Sequence, residues 1–152
     1  MHNVNRKKIL SMLVVVVLVG GGCAGSSTLG SNKIETPSGD KIEVEVAKTL
    51  NEQAKGLSGR EEVGEGMVFC FDKAEQREFW MLGMMVPIDM IWIYEGEVMS
   101  ISDNVPLQEN NAITRRNSVK QVDAVLEVGA GMAAELGIEE GSVLEDVVRI
   151  CN

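Results

Sequence analysis

The stretch EGMVFCFDKAEQREFWMLGMMVPIDMIWIY, residues 65–94, decides how this chain folds. It holds every aromatic side chain of the protein: Phe69, Phe71, Phe79, Trp80, Trp92 and Tyr94. Its second half adds four of the nine methionines, Met81, Met84, Met85 and Met90. The remaining sequence offers only aliphatic side chains to pack around these rings, so the core must be built here. Residues 66–71 and 88–94 read as strands, separated by a polar turn at 72–77 and a further apolar run at 79–85 that Pro87 breaks. Apolar runs this continuous predict strands covered on both faces.

Working outward, residues 37–40 (Pro-Ser-Gly-Asp) form a turn signal, and 41–46 alternate strictly as a half-buried strand does. Thr49 followed by Glu52 makes a capping box, with Leu50, Ala54 and Leu57 at helical spacing, so a short helix ends near Gly56 to Gly59. Glu95-Gly96 is a hairpin turn leading into a strand over 98–105. Residues 104–119 are polar and irregular, 121–128 read as a strand, 131–136 as a short helix stopped by Gly137, and 143–150 as a closing strand. The expected fold is mainly β (α+β), a compact sandwich or barrel-like sheet of about seven strands with two short helices.

The N-terminal part reads as a targeting segment. Arg6-Lys7-Lys8 form a basic region, residues 9–19 an apolar one, and Gly20-Gly21-Gly22-Cys23-Ala24 follow. The apolar run is shorter than the roughly 20 residues a membrane span needs, so cleavage is expected. A cysteine after small residues at this point resembles the bacterial lipobox, whose cysteine is acylated and becomes the mature N-terminus; here Gly20 stands where that pattern has Leu. Residues 1–23 are thus expected to be a signal peptide ending in a lipobox-like Cys23. Residues 24–32, rich in Gly, Ser and Thr, would be a flexible tether, and 33–152 the folded domain. The expected address is the cell envelope, with the exported lipoprotein anchored to the membrane and facing the periplasm or the exterior.

Without Arg6, Lys7 and Lys8, 11 of the 14 basic residues remain against 23 acidic ones, a net charge of −12. Such a surface repels nucleic acid, which is not expected as a partner. The single histidine, His2, lies in the leader, so a mature chain has neither a Ser/His or Cys/His nucleophile nor an imidazole zinc ligand. No cofactor is expected. If Cys23 is acylated, Cys70 and Cys151 remain as a pair, and an oxidising compartment would permit a bridge between them; two buried thiols are the alternative.

Five segments, in order, resemble the DUF-192 (UPF-0127) family, a prokaryotic domain of unknown function. They are Ile42-Glu43-Val44-Glu45-Val46, Gln53-Ala54-Lys55-Gly56-Leu57-Ser58-Gly59-Arg60, Glu65-Gly66-Met67-Val68-Phe69, Phe79-Trp80-Met81 with Pro87-Ile88-Asp89, and Val125-Leu126-Glu127-Val128 with Gly137-Ile138 and Gly141. The resemblance implies a mainly β, often exported domain and lends no activity. Where such domains commonly carry Lys-Asn-Thr after the Phe-Trp-Met, this chain has Leu82-Gly83-Met84, which replaces three polar groups with apolar ones.

Asp89 is the first candidate site residue, since a carboxylate in an apolar strand must face a cleft, a partner such as Arg60, or solvent. It reads either as a pocket carboxylate or as an ion-pairing or turn-capping residue. Arg60 and Glu65 flank the same core, and Trp80 would line a ligand pocket or fill the core. Three functions follow from these residues. The first is a lipid-anchored binding or accessory domain recognising a small ligand or an envelope protein near Trp80 and Asp89. The second is a carboxylate-based enzyme acting on an envelope glycan or another small polar substrate through Asp89, Glu65 and Arg60. The third is Cu(I) handling by Met81, Met84 and Met85, with strand alternation placing Met84 opposite the other two.

Overall fold

The computed structural model describes residues 31–108 and 112–152. Within them eight strands and three short helices follow in the order β1 (Ser31–Glu35), β2 (Lys41–Ala47), α1 (Leu50–Lys55), β3 (Met67–Glu75), β4 (Glu78–Trp80), β5 (Ile88–Tyr94), β6 (Glu97–Val105), β7 (Arg115–Asn117), β8 (Val122–Gly129), α2 (Met132–Glu135) and α3 (Glu145–Cys151). Six strands form one sheet in the order β1-β2-β3-β8-β5-β6, and β4 pairs with β7 apart from it. The β2 and β3 strands run parallel, because the crossover between them carries α1; the other pairs are antiparallel. With β1 and β6 as edges, the sheet is open, not a closed barrel.

Both faces of this sheet are covered, and its middle is apolar apart from two buried acids, Asp89 and Glu127. Residues 88–93 of β5 are all buried, as are 124–128 of β8. On one face Ile91, Ile93, Leu126 and Val128 pack with Leu136, Ile138, Val147 and Ile150 from the C-terminal helices and their connections. On the other, Met67, Phe69, Met90, Trp92 and Val125 pack with Leu57, Val63 and Met81. Each such aliphatic or aromatic side chain contributes about 1.5–3 kcal/mol when fully buried. Phe79 of β4 holds the small sheet down on this second face. Its ring meets Phe69 at 5.0 Å and Trp92 at 5.6 Å, edge to face in both cases.

Four local expectations are corrected. Residues 143–150 are not a strand, because Val147, Ile150 and Cys151 recur at helical spacing against the core while Val143 and Val148 are exposed. The 79–85 run leaves the strand after Trp80 and turns, with Met84 N–H donating to the Met81 carbonyl and Gly83 at φ +72°. Within the expected 104–119 loop lies β7, a polar strand held by its ladder to β4. The first strand begins inside the expected tether: Ser31 to Glu35 pairs with β2 and buries Ile34.

Cys70 and Cys151 form a disulfide that ties β3 to α3 across 81 residues. Closing a loop of that length stabilises a fold by about 4–5 kcal/mol in the chain-entropy model. Replacing both cysteines by Ala should lower the denaturant-derived unfolding free energy by about that much, with the native circular dichroism spectrum retained. An unchanged urea midpoint would show that the bridge does not hold α3 in place.

Candidate functional site

The four residues singled out from the sequence occupy separate places. Asp89 is fully buried, and both its carboxylate oxygens accept backbone N–H bonds, Oδ1 from Asn104 at 2.7 Å and Oδ2 from Ala133 at 3.0 Å. Ala133 is in the first turn of α2, whose preceding Gly131 offers no side chain to cap it. Asn104 sits in the left-handed region at φ +45°. Asp89 therefore caps one helix and fixes one kinked strand end, with both oxygens engaged by backbone N–H groups. Arg60, expected as its partner, instead forms a two-pronged ion pair with Glu45, and that hydrogen bond holds the Glu45 carboxyl below its usual range. Glu65 is exposed and accepts the backbone N–H of Glu43, extending the β2 ladder beyond the bond from Glu45 N–H to the Gly66 carbonyl. Trp80 is half exposed with the Arg115 guanidinium 5.9 Å above its ring. Of the three methionines, Met81 is buried in the core, Met84 is partly buried and Met85 is half exposed, on a turn instead of a strand. Cys23 lies outside the described residues.

The unusual side chain is Glu127, which was quoted above only as part of a resemblance. It lies in the middle of β8, where residues alternate between the faces, so it shares a face with Val125. Its direct neighbours across the ladder are Met67 of β3 and Met90 of β5, both fully buried. Glu127 is only 5% exposed and its carboxyl is bonded to none of the described residues, but its oxygens are not fully enclosed: among the described residues Arg77 Nε is the one fully buried polar side-chain atom without a partner. Burial pushes that carboxyl up to about 8, so it stays protonated at neutral pH. The loop 57–66 closes over this face through Leu57 and Val63, and turns tightly at Gly66, where a Cβ would come within 2.9 Å of the Glu127 carbonyl oxygen. The turn 81–86 docks beside it, with Gly59 N–H donating to the Gly83 carbonyl at 2.8 Å.

No sequence pattern marked Glu127. Asp123, Val125 and Glu127 alternate with Val122, Ala124, Leu126 and Val128, which reads as the wet face of a half-buried strand. Only the second covering layer makes that face dry. A separate cleft of about 220 Å³ lies between α3 and the β5–β6 turn, lined by Phe71, Asp123, Val148 and Cys151. There the Asp123 carboxylate already accepts from Glu95 N–H at 3.0 Å, and the other acid lining the cleft, Glu95, is exposed. Among the described residues, no group of three or more His, Cys, Asp and Glu side chains is placed to hold a metal ion.

The two buried acids make opposite predictions. Asp89→Ala leaves two backbone N–H groups without their acceptors, each worth about 1–3 kcal/mol, and should cost on the order of 2–5 kcal/mol in urea unfolding. A loss under 1 kcal/mol would mean that Asp89 is not a structural tie. For Glu127, the unfolded chain releases its proton near 4.5 while the folded chain holds it to about 8. Its contribution to stability is thus full below pH 4.5 and is lost as pH rises toward 8, at about 1.4 kcal/mol per unit. Between pH 5 and pH 8.5 the stability difference should move in favour of Glu127→Gln by roughly 3–4 kcal/mol. Parallel pH profiles of the two proteins would refute the burial-driven shift.

The comparisons agree with this architecture. A solved structure from Novosphingobium aromaticivorans DSM 12444, of unknown function, is 33% identical with a TM-score of 0.69, covering 84% of this chain and 94% of that one. A candidate transcription regulator from Sinorhizobium meliloti 1021 is 29% identical with a TM-score of 0.70, covering 80% of this chain and 97% of that one. No curated relative matches the chain. The model of the DUF192 family, described as an uncharacterized ACR, matches residues 33–145, and the chain belongs to that family.

Proposed function

We propose that this DUF192 domain is an exported, lipid-tethered binding module of the cell envelope, and that Glu127 is where its ligand's polar head is recognised. One observation carries the binding site: a nearly buried carboxylic acid set among Met67, Met90 and Val125, bonded to none of the described residues and with its oxygens not fully enclosed. A nearly buried carboxyl that no described residue bonds keeps hydrogen-bonding capacity that its own fold does not use. The partner that gains most is a cation with an apolar body, such as an amine with an alkyl or aryl group. Its charge would ionise the acid, and its body would lie on the methionine and aromatic face. The acidic surface, net −12 once the leader bases are removed, draws such cations toward the domain.

Export and tethering rest on the leader, with its basic and apolar regions and Cys23, together with the Cys70–Cys151 disulfide, which belongs to an oxidising compartment. The enzyme reading through Asp89, Glu65 and Arg60 is weaker. Each of the three is engaged in a different structural bond, and they do not converge on a common point.

The reading is tested by thermal shift with a panel of alkyl- and arylamines, set beside neutral sugars and carboxylates, on wild type and Glu127→Gln. An amine that binds should stabilise the native state by about 2.7 kcal/mol at a hundredfold excess over its Kd. Calorimetry in buffers of different ionisation enthalpy should show close to one proton released per amine bound at pH 6.5, with both effects lost in Glu127→Gln. Amine binding that survives this substitution would place the site elsewhere, and stabilisation by sugars alone would overturn the cation reading.

A further inference from the structure

The Cys70–Cys151 bridge is open to solvent from one side. The cleft of about 220 Å³ between α3 and the β5–β6 turn has Cys151 in its wall but not Cys70, with Phe71, Val147 and Val148 beside it. Cys70 lies within β3 and is 6% exposed, so a thiol arriving through the cleft meets Cys151. Access of this kind decides whether a disulfide exchanges and which of its sulfurs is attacked. The volume is below the roughly 300–1,000 Å³ of a pocket for a drug-sized ligand, and it suits one side-chain-sized group. Both cysteines belong to the helix layer, apart from the methionine layer that holds Glu127.

The charges of the cleft select the thiol. Glu95 and Asp123 line it, and no Lys or Arg does. Arg77, whose guanidinium stacks on the Phe71 ring at 4.1 Å, has its charge met by Glu75 at 3.6 Å. A thiolate that attacks here brings negative charge beside two carboxylates, so anionic thiols are repelled and a thiol with a neighbouring cation is favoured. The bridge also fastens one end of a short element. α3 has seven residues, and Cys151 is the last of them. Its start is held by Leu144 N–H donating to the Gly96 carbonyl at 2.8 Å, and its middle by Asp146 accepting from Glu35 N–H at 2.8 Å. A helix this short does not hold itself together in water, so its last turn depends on Ile150 and on the bridge.

We propose that this cleft is a thiol–disulfide exchange site for a cationic dithiol, and that opening the bridge there releases the last turn of α3. One thiolate of the dithiol attacks the Cys151 sulfur. A bond between the two forms as the Cys70–Cys151 bond breaks, and Cys70 leaves as a thiolate that takes a proton from water. The second thiolate of the dithiol then attacks its own partner sulfur in that mixed disulfide, and Cys151 leaves and is protonated in turn. The chain gains two electrons and two protons, and the dithiol becomes a disulfide. Neither Glu127 nor the tether takes part, so the exchange site stands or falls independently of the function proposed above.

The test treats the oxidised full-length protein with three monothiols, cysteamine, 2-mercaptoethanol and 3-mercaptopropionate, traps free thiols with N-ethylmaleimide, and maps the products by mass spectrometry. The small thiol should be found on Cys151 and the maleimide on Cys70, at a rate that does not follow global unfolding in urea. Compared per thiolate, cysteamine should outpace 3-mercaptopropionate by about tenfold at low salt. Asp123→Asn with Glu95→Gln should remove most of that ratio. Glu61→Gln with Glu62→Gln, an equal change of charge at exposed positions of the 57–66 loop, should leave it. After full reduction by dithiothreitol, amide exchange should quicken at 148–151 while β5 and β8 stay protected. Adducts on Cys70, a reaction no faster than global unfolding, or a charge ratio that both pairs of substitutions lower equally would overturn the site. Unaltered exchange of α3 in the reduced protein would overturn its release.

Discussion

Two adjacent strands, β5 and β8, are buried on both faces, and most of the structure is the consequence of covering them. A strand presents alternate side chains to opposite sides, so a doubly buried pair needs two separate apolar layers. The C-terminal helices supply one, with the Cys70–Cys151 bridge fastening α3. The glycine-rich 57–66 loop, the 81–86 turn and the Phe79 edge-to-face contacts supply the other. Neither layer is a regular sheet or helix of any length. This explains why a domain with so few aromatic residues concentrates them all between Phe69 and Tyr94.

Asp89 and Glu127 test that constraint from its two sides. They lie on neighbouring strands one register step apart, Asp89 opposite Val128 and Glu127 opposite Met90, so their side chains enter opposite layers. In the helix layer a backbone N–H of α2 and another at the kinked end of β6 are available, and Asp89 takes both. In the methionine layer none of the described residues bonds the Glu127 carboxyl. The same chemical group is thus a structural tie in one layer and an unspent acid in the other, and the difference lies wholly in the surroundings.

The sequence made the mainly β class legible, because apolar runs, turn residues and the Thr49–Glu52 capping box are local signals, and the capping box is present in the structure as read. It did not reveal the helical end of the chain. Val143, Leu144, Val147, Val148 and Ile150 satisfy a strand pattern and a helix pattern about equally, and only the packing of Val147, Ile150 and Cys151 on the sheet selects the helix. β1 and β7 were hidden for a different reason. Each is polar and bound mainly by its ladder, so its partner strand determines it and its own residues carry little signal. For the site, Asp89 stood out because it interrupts an apolar run, whereas Glu127 was masked by the neighbouring polar Asp123, which does face outward.

That contrast bears on how a site can be found in such a fold. A polar residue in an unbroken apolar run is conspicuous, but the fold must already have satisfied it, since a strand buried on both faces tolerates no loose charge. A polar residue in an alternating run carries no such obligation in the sequence; its cost arises only when a second layer closes over it. In this chain the closing layer is two irregular segments joined by the Gly59–Gly83 hydrogen bond, next to the turn where Leu82-Gly83-Met84 stands. The buried acid and the exposed apolar turn therefore share one piece of structure. Any partner that moves the turn acts on the cover of Glu127, and whatever ionises Glu127 alters the cost of keeping that cover closed.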